Sequence, residues 1–193
     1  MTNAQIFFAT TSLLVALSGL FFTWISWRRR ELRREEVIIW TSDCIECLQT
    51  LFIISFFKDP LLDEEKASEI RLKIIFDTSI LIERGRLFFR NEVVDDFGSN
   101  KFPAYRGYRP RILDHLVVAH EIARYWPAGS EDEILRRTAI AEDCLKAFVS
   151  LAQKEVGRDR AASAEALKGG DDDNLSTLMA AVKPERIKSR GNL

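Results

Sequence analysis

An arginine-rich segment carries the side chains best suited to chemistry in this sequence. Six arginines and one lysine fall within residues 84–111, with phenylalanine and tyrosine side chains between them. Guanidinium groups bind phosphate and carboxylate through paired hydrogen bonds, and aromatic faces stack on guanidinium groups or planar ligands. The segment therefore predicts a site for an anionic small ligand, an acidic protein partner or lipid headgroups. The predicted ligand-binding residues are Arg84, Arg86, Arg90, Tyr105, Arg106, Tyr108, Arg109 and Arg111.

The same arginines have a structural alternative. Acidic residues close in sequence are able to neutralise most of them through ion pairs; these are Glu83, Glu92, Asp95, Asp96 and Asp114. In that case the segment would be a loop braced against its own helices. The two interpretations differ in whether Arg106, Arg109 and Arg111 face a ligand at the start of a helix, where backbone N–H groups favour anions, or face their acidic neighbours.

Side chains for catalysis or metal binding are sparse. The sequence contains no nucleophile elbow, zinc-binding helix motif, phosphate-binding loop or array of metal-binding carboxylates. Cys44 and Cys47 have the spacing of a metal-binding or redox pair, with Cys144, His115 and His120 elsewhere in the chain. Both cysteines fall in an apolar helical stripe, where free cysteine packs as a small apolar side chain. We therefore predict a protein that is not an enzyme and has no metal or cofactor.

An uncharged apolar run precedes everything else. As a helix, the 22 residues 6–27 would be about 33 Å long, enough for a hydrocarbon core of about 30 Å. This run is longer than the apolar stretch of a secretory signal peptide. Bulky residues follow it, where a signal peptide would have a cleavage site with small residues. Arginines flank its C-terminal end alone, which predicts a cytoplasmic body and an N-terminus outside. The sequence thus predicts a single-pass membrane protein, in contact with lipid, with its anchor at residues 1–27.

Small residues recur at heptad spacing along this anchor. Such residues let helices approach closely in lipid, so the pattern predicts a homo-oligomer. The predicted oligomerisation residues are Ala9, Ser12, Ala16, Gly19 and Thr23. The same phase continues as an apolar stripe of Val37, Trp40, Cys44, Cys47, Leu51 and Ile54. This stripe fits either a continuous oligomer seam or the core of a bundle. A second membrane span at 37–57 is the less favoured alternative, because it would place Asp43 and Glu46 in lipid.

The remaining chain predicts an all-α fold. Residues 28–160 form a cytosolic antiparallel bundle of about four helices, near 30–57, 62–90, 110–126 and 131–157. Asp63 and Ser130 fit helix N-caps, and Pro110 fits a first helical turn. The long loop at 91–109 has a length typical of functional loops. Residues 161–193 are polar and predict a mostly disordered tail, with at most a short helix at 174–182.

Two functional hypotheses follow from these patterns. The first is a membrane-anchored, self-associating scaffold or sensor whose Arg/aromatic loop binds an anionic ligand or partner. The second is a membrane-perturbing or pore-forming effector that acts by clustering its anchor helices. A formal net charge of −1 gives no global electrostatic basis for nucleic-acid binding. Three cysteines, an odd number, predict free thiols in a reducing compartment.

Overall fold

The fold is all-helical, as predicted. The structure is a computed structural model that describes residues 3–56, 63–126, 128–156 and 174–191, and no β-strand occurs among them. The helices are α1 (Asn3–Phe56), α2 (Glu64–Phe88), α3 (Arg111–Tyr125), α4 (Glu131–Glu155), α5 (Leu175–Ala181) and α6 (Pro184–Gly191), with a 3₁₀ turn at Pro103–Tyr105. Contacts divide the chain into an N-terminal unit, residues 1–38, and a main unit, residues 39–193. The compositional boundary between residues 27 and 28 stays a prediction.

One described helix is apolar enough to cross a membrane. By length and composition this is α1, over the stretch Val15–Phe56, with a mean hydropathy of 1.6 in its most apolar part. Core helices and signal sequences satisfy the same criterion. A core helix, however, is mostly buried, so the exposure of the apolar side chains helps to distinguish it from a membrane span. In the N-terminal unit, every described large apolar side chain from Val15 to Phe22 is more than half exposed, as are Trp24 and Trp27. No part of that unit's own chain covers this surface among the described residues.

In the main unit, the apolar stripe of α1 is internal. Trp40, Cys44, Cys47, Leu51 and Ile54 are all buried. This burial places the described stripe of the main unit in the core of a single copy. The cytosolic helix predicted at 30–57 is therefore the C-terminal part of α1.

Trp40 is the centre of this core. Its side chain is fully buried, and its indole Nε1 donates a hydrogen bond to the carbonyl of Leu81 in α2 at 2.9 Å. Its ring lies 5.4 Å from that of Phe89 and 5.6 Å from that of Phe148 in α4. Such tilted aromatic contacts add about 0.5–1.5 kcal/mol each beyond the area that they bury. One side chain therefore joins α1, α2 and α4.

Polar contacts complete the packing of α1 to α4. Thr138 of α4 donates to the carbonyl of Ser55 in α1 at 2.9 Å. In the contact between α2 and α3, Thr78 Oγ1 lies 2.9 Å from His120 Nδ1. Buried polar groups are costly when unpaired, so these bonds fix the relative register of the helices.

Helix starts follow the local sequence closely. Asp63 caps α2 by accepting from the backbone N–H of Lys66 at 2.8 Å. Ser130 and Glu133 form the predicted capping box of α4. Pro110 differs by one position from the prediction, because it is the N-cap of α3 and Arg111 is the first helical residue.

The carboxyl end of α3 is held by two arginines from other helices. Arg137 of α4 donates to the carbonyls of Tyr125, at 3.1 Å, and of Ala128. Arg71 of α2 donates to the carbonyl of Trp126. The last carbonyls of a helix lack intrahelical partners and carry partial negative charge, so these cations stabilise the end of α3.

The C-terminal part of the main unit is more ordered than the sequence predicted. The short helix predicted at 174–182 is present as α5, whereas α6 follows it where no helix was expected, and Leu175, Val182 and Ile187 are buried. Arg186 pairs with Asp143 of α4 at 2.5 Å. The rest of the predicted tail, residues 161–173 and 192–193, lies outside the described residues. A short apolar pattern was insufficient to predict this packing, because α4 supplies the partner charges.

A substitution at Gly85 would test how closely Trp40 packs against α2. Replacing an exposed helical glycine with alanine normally stabilises a helix by about 0.5–1 kcal/mol. At Gly85, however, an added Cβ would lie 2.8 Å from Trp40 Cζ2 and would also meet Leu113 Cδ2. We expect Gly85→Ala to lower the free energy of unfolding by about 1–3 kcal/mol. Chemical denaturation of the full chain in detergent measures this, with the exposed Ser79→Ala as the control. A stabilised Gly85→Ala protein would contradict the packing described.

Candidate functional site

The Arg/aromatic segment surrounds an open cleft in the main unit. The cleft has a volume of about 580 Å³. Its lining combines three cationic side chains, two amides and three aromatic rings, from the end of α2, the loop and the residues before α3. The lining residues are Arg86, Asn91, Phe97, Asn100, Lys101, Phe102, Tyr105, Gly107 and Arg109. This composition suits an anion attached to a planar or apolar group.

The loop that forms the cleft is braced from within. Glu92 and Tyr108 exchange two backbone hydrogen bonds, each 2.8 Å long, as an isolated antiparallel bridge. The rings of Phe97 and Tyr108 stack at a centroid distance of 4.4 Å and an angle of 8°. The backbone N–H of Gly107 donates to the carbonyl of Phe97 at 3.1 Å. A long loop without a regular strand thus holds a fixed shape.

Gly107 is required by this bracing. Its φ of +81° lies in the left-handed region, which side chains other than hydrogen disfavour. An added Cβ would also lie 2.7 Å from the carbonyl carbon of Glu92. Close approach of the two sides of the bridge therefore depends on a residue without a side chain.

The three cations of the cleft differ in their surroundings. Arg109 Nε donates to Asp114 Oδ1 at 2.9 Å, and these side chains are 20% and 5% exposed. The Arg86 guanidinium lies 4.5 Å from the Tyr105 ring centroid and pairs weakly with Glu83. Lys101 is exposed, with its Nζ 5.3 Å from the Phe97 ring centroid. Lys101 is thus the cation best placed to meet a ligand.

Tyr105 and Glu83 form the outer edge of the site. The Tyr105 hydroxyl donates to Glu83 Oε2 at 2.8 Å. This bond, together with the negative charge of Glu83, raises the pKa of Tyr105 above its usual value. The same bond holds the Tyr105 ring beneath the Arg86 guanidinium.

The structure brings together three of the eight predicted ligand-binding residues, Arg86, Tyr105 and Arg109. Arg84 lies in a separate groove of about 230 Å³, where it pairs with Asp43 of α1 at 2.9 Å. Tyr108 packs against Phe97, as part of the bracing. The remaining three are exposed outside the cleft lining: Arg90, Arg106 and Arg111. Arg106 donates to the carbonyl of Lys101 at 3.0 Å.

Six residues that line the cleft are absent from the predicted set. These are Asn91, Phe97, Asn100, Lys101, Phe102 and Gly107. Lys101 and the aromatic residues belong to the same basic and aromatic segment, so their residue types could have predicted them as cleft residues. The two asparagines could not be predicted in this way, because isolated amides occur in any loop. Asn100 is placed by the turn at residues 95–100, and the Asn91 side chain donates to the carbonyl of Gly107 at 3.5 Å.

The predicted oligomerisation residues belong to the N-terminal unit. The side chains of Ala9 and Ser12 lie outside those that the structure describes. Ala16, Gly19 and Thr23 are exposed, and a Cβ added to Gly19 would meet no atom within 4 Å. Thr23 Oγ1 donates to the carbonyl of Gly19 at 2.8 Å, inside the helix. This face is accessible in a single copy of the chain.

The cysteines are packed in the main unit. Cys44, Cys47 and Cys144 are free and buried. Across the described part of the chain, no three histidine, cysteine or acidic side chains come together in a way that would hold a metal ion. The spacing of Cys44 and Cys47 is accounted for by the core face of α1.

No protein family, curated protein or solved structure matches this chain. The features of this chain that bear on its function are the geometry of the cleft and the exposure of the N-terminal helix.

The pairing of Arg109 with Asp114 predicts that Arg109 contributes more to folding stability than Arg106 does. Removing Arg109 leaves the nearly buried Asp114 without this partner, so Arg109→Ala should lower the free energy of unfolding by about 1.5–3 kcal/mol. Arg106→Ala removes an exposed contact to a carbonyl and should change it by about 0.5 kcal/mol or less. Thermal or chemical unfolding of the full chain measures both. Equal effects of the two substitutions would show that Arg109 does not brace α3.

Proposed function

We propose that this chain is a single-span membrane protein whose helical body binds an anionic ligand or partner at the Arg/aromatic cleft. In this proposal the N-terminus lies outside, and an antiparallel four-helix bundle formed by α2, α3, α4 and the C-terminal part of α1 lies in the cytoplasm. The role is recognition without catalysis, as a scaffold or sensor. The observation that carries it is the cleft itself, where Arg86, Lys101 and Arg109 converge.

Exposure of the N-terminal helix supports the anchor. Val15, Leu20 and Phe22 are 66–68% exposed, and none of the described side chains of their own unit covers them. Fully burying one such side chain is worth about 1.5–3 kcal/mol, so a helix of them is stable only in an apolar environment. Trp24 and Trp27 stand next to the arginine run, where aromatic side chains favour the membrane interface.

The charge of the cleft supports an anionic ligand. Three cations face the cleft, while two carboxylates, Glu83 and Asp114, pair with Arg86 and Arg109. The net charge of this group is +1, carried by Lys101. The braced loop also holds the aromatic and amide groups in place before a ligand arrives, which lowers the entropic cost of binding.

Lys101 gives the direct test. With inorganic pyrophosphate as the probe, the full chain in detergent should show a saturable rise in its thermal unfolding midpoint. Lys101→Ala should weaken this binding about tenfold or more, because it removes a charged hydrogen bond worth about 1.5–3 kcal/mol. Its unfolding midpoint without ligand should be unchanged. Lys66→Ala, an exposed lysine at the other end of α2, is the matched control. Equal binding by the two variants would refute the cleft as the anion site.

Self-association through the anchor is the second part of the proposal, and it also keeps the effector hypothesis testable. Gly19 and Thr23 form an accessible small-residue face. If clustering permeabilises the bilayer, overexpression should depolarise cells. Gly19→Leu should then abolish depolarisation at equal expression, because a bulky side chain separates the helices. Phe21→Leu, on the opposite side of the helix, should retain it. Normal membrane potential at high expression of the unmodified chain would argue against the effector function.

A further inference from the structure

The cleft lies at the end of the main unit where the chain enters it. The main unit begins at Ile39, and the next residue, Trp40, packs against Phe88 and Phe89. Phe88 is the last residue of α2, and the loop that forms the cleft starts directly after it. The site and the incoming chain therefore share one end of the unit.

A short segment joins this end to the proposed anchor. Eleven residues lie between Trp27, the last residue of the apolar run, and Ile39. The twelve residue steps from Trp27 to Ile39 span about 18 Å as a helix and at most about 40 Å when extended. The proposed anchor thus tethers the main unit by the end that carries the cleft.

The rim of the cleft has an apolar component that a soluble anion does not explain. Phe102 lines the cleft and is 82% exposed, next to Lys101. Phe97 and Tyr105 are each 40% exposed on the same cleft. The ring of Phe102 is held outward by a braced loop, since the 3₁₀ turn follows it and the backbone N–H of Lys101 bonds to the carbonyl of Gly98 at 2.9 Å. An exposed aromatic ring beside an ammonium group suits a lipid interface, which takes both apolar and cationic groups.

Charge around the loop is complementary to an anionic surface. Residues 83–114, which include the acidic partners Glu83 and Asp114, contain seven basic and five acidic side chains, a net charge of +2. Arg90 and Arg106, exposed outside the cleft, add to the attraction of Lys101. Each basic side chain near an anionic membrane strengthens its attachment about fivefold.

We propose that the ligand of the cleft is the phosphate headgroup of an anionic phospholipid in the bilayer that holds the anchor. Lys101 and Arg86 contact the phosphate, and Phe102 places its ring among the lipids. This inference rests on the proposed function and specifies the anion. It also makes the main unit a sensor of membrane surface charge, since the loop engages the membrane when anionic lipid is present.

The test uses the full chain in two kinds of nanodisc, one of phosphatidylcholine alone and one with phosphatidylglycerol added. Hydroxyl-radical labelling of Phe102, read by mass spectrometry, should fall several-fold in the phosphatidylglycerol discs. Phe76 of α2, which is 61% exposed and away from the cleft, is the internal control and should be labelled equally in both. Lys101→Glu should restore the labelling of Phe102, and high salt should do the same.

Inorganic pyrophosphate separates the lipid inference from the proposed function. If lipid occupies the cleft, pyrophosphate should raise the unfolding midpoint in phosphatidylcholine discs and lose this effect in phosphatidylglycerol discs. Pyrophosphate binding in both discs, with Phe102 labelled equally, would overturn the lipid inference and leave anion binding intact. Neither pyrophosphate binding nor protection of Phe102 would overturn both.

Discussion

The fit of Trp40 against Gly85 is the contact on which the main unit depends. The indole fits only because Gly85 of α2 has no side chain. It also donates a hydrogen bond to the carbonyl of Leu81 and packs against the rings of Phe89 and Phe148. This contact fixes the end of α2 beside α1, and so fixes the point from which the loop leaves. The position of the cleft is thus a consequence of core packing, although none of its ligand-facing groups belongs to the core.

Most arginines described in the main unit have a structural role, and few are left for the proposed binding of an anion. Arg71 and Arg137 hold the carbonyls at the end of α3, and Arg136 and Arg186 attach the C-terminal helices to α4. These guanidinium groups act as structural cross-links, because several donors in one plane satisfy several carbonyls or carboxylates at once. The cationic groups that remain for the proposed binding of an anion are fewer than the sequence suggests. A count of arginines therefore overstates the electrostatic strength of the site, and the exposed lysine becomes its most informative residue.

The two units place different demands on α1. In the main unit its stripe of Trp40, Cys44, Cys47, Leu51 and Ile54 is closed by the protein's own core. In the N-terminal unit the small-residue face is accessible. The same heptad phase thus serves intramolecular packing in one unit and, in our proposal, contact between copies in the other. The burial of Trp40 leaves the main-unit part of the stripe inside a single copy.

Sequence alone determined the helical class, the starts of α2 and α4, and the apolar composition of the N-terminal helix. These depend on neighbouring residues, since capping bonds, proline geometry and hydropathy act within a few positions of the chain. It also predicted a functional loop, including Arg86, Tyr105 and Arg109. Tertiary structure decided which arginines pair internally, that Lys101 and Asn100 join the cleft, and that residues 174–191 fold onto α4. Each of these depends on a partner distant in sequence, such as Asp43 for Arg84 or Asp143 for Arg186. The pattern of one helix does not encode which charge on another helix will face it.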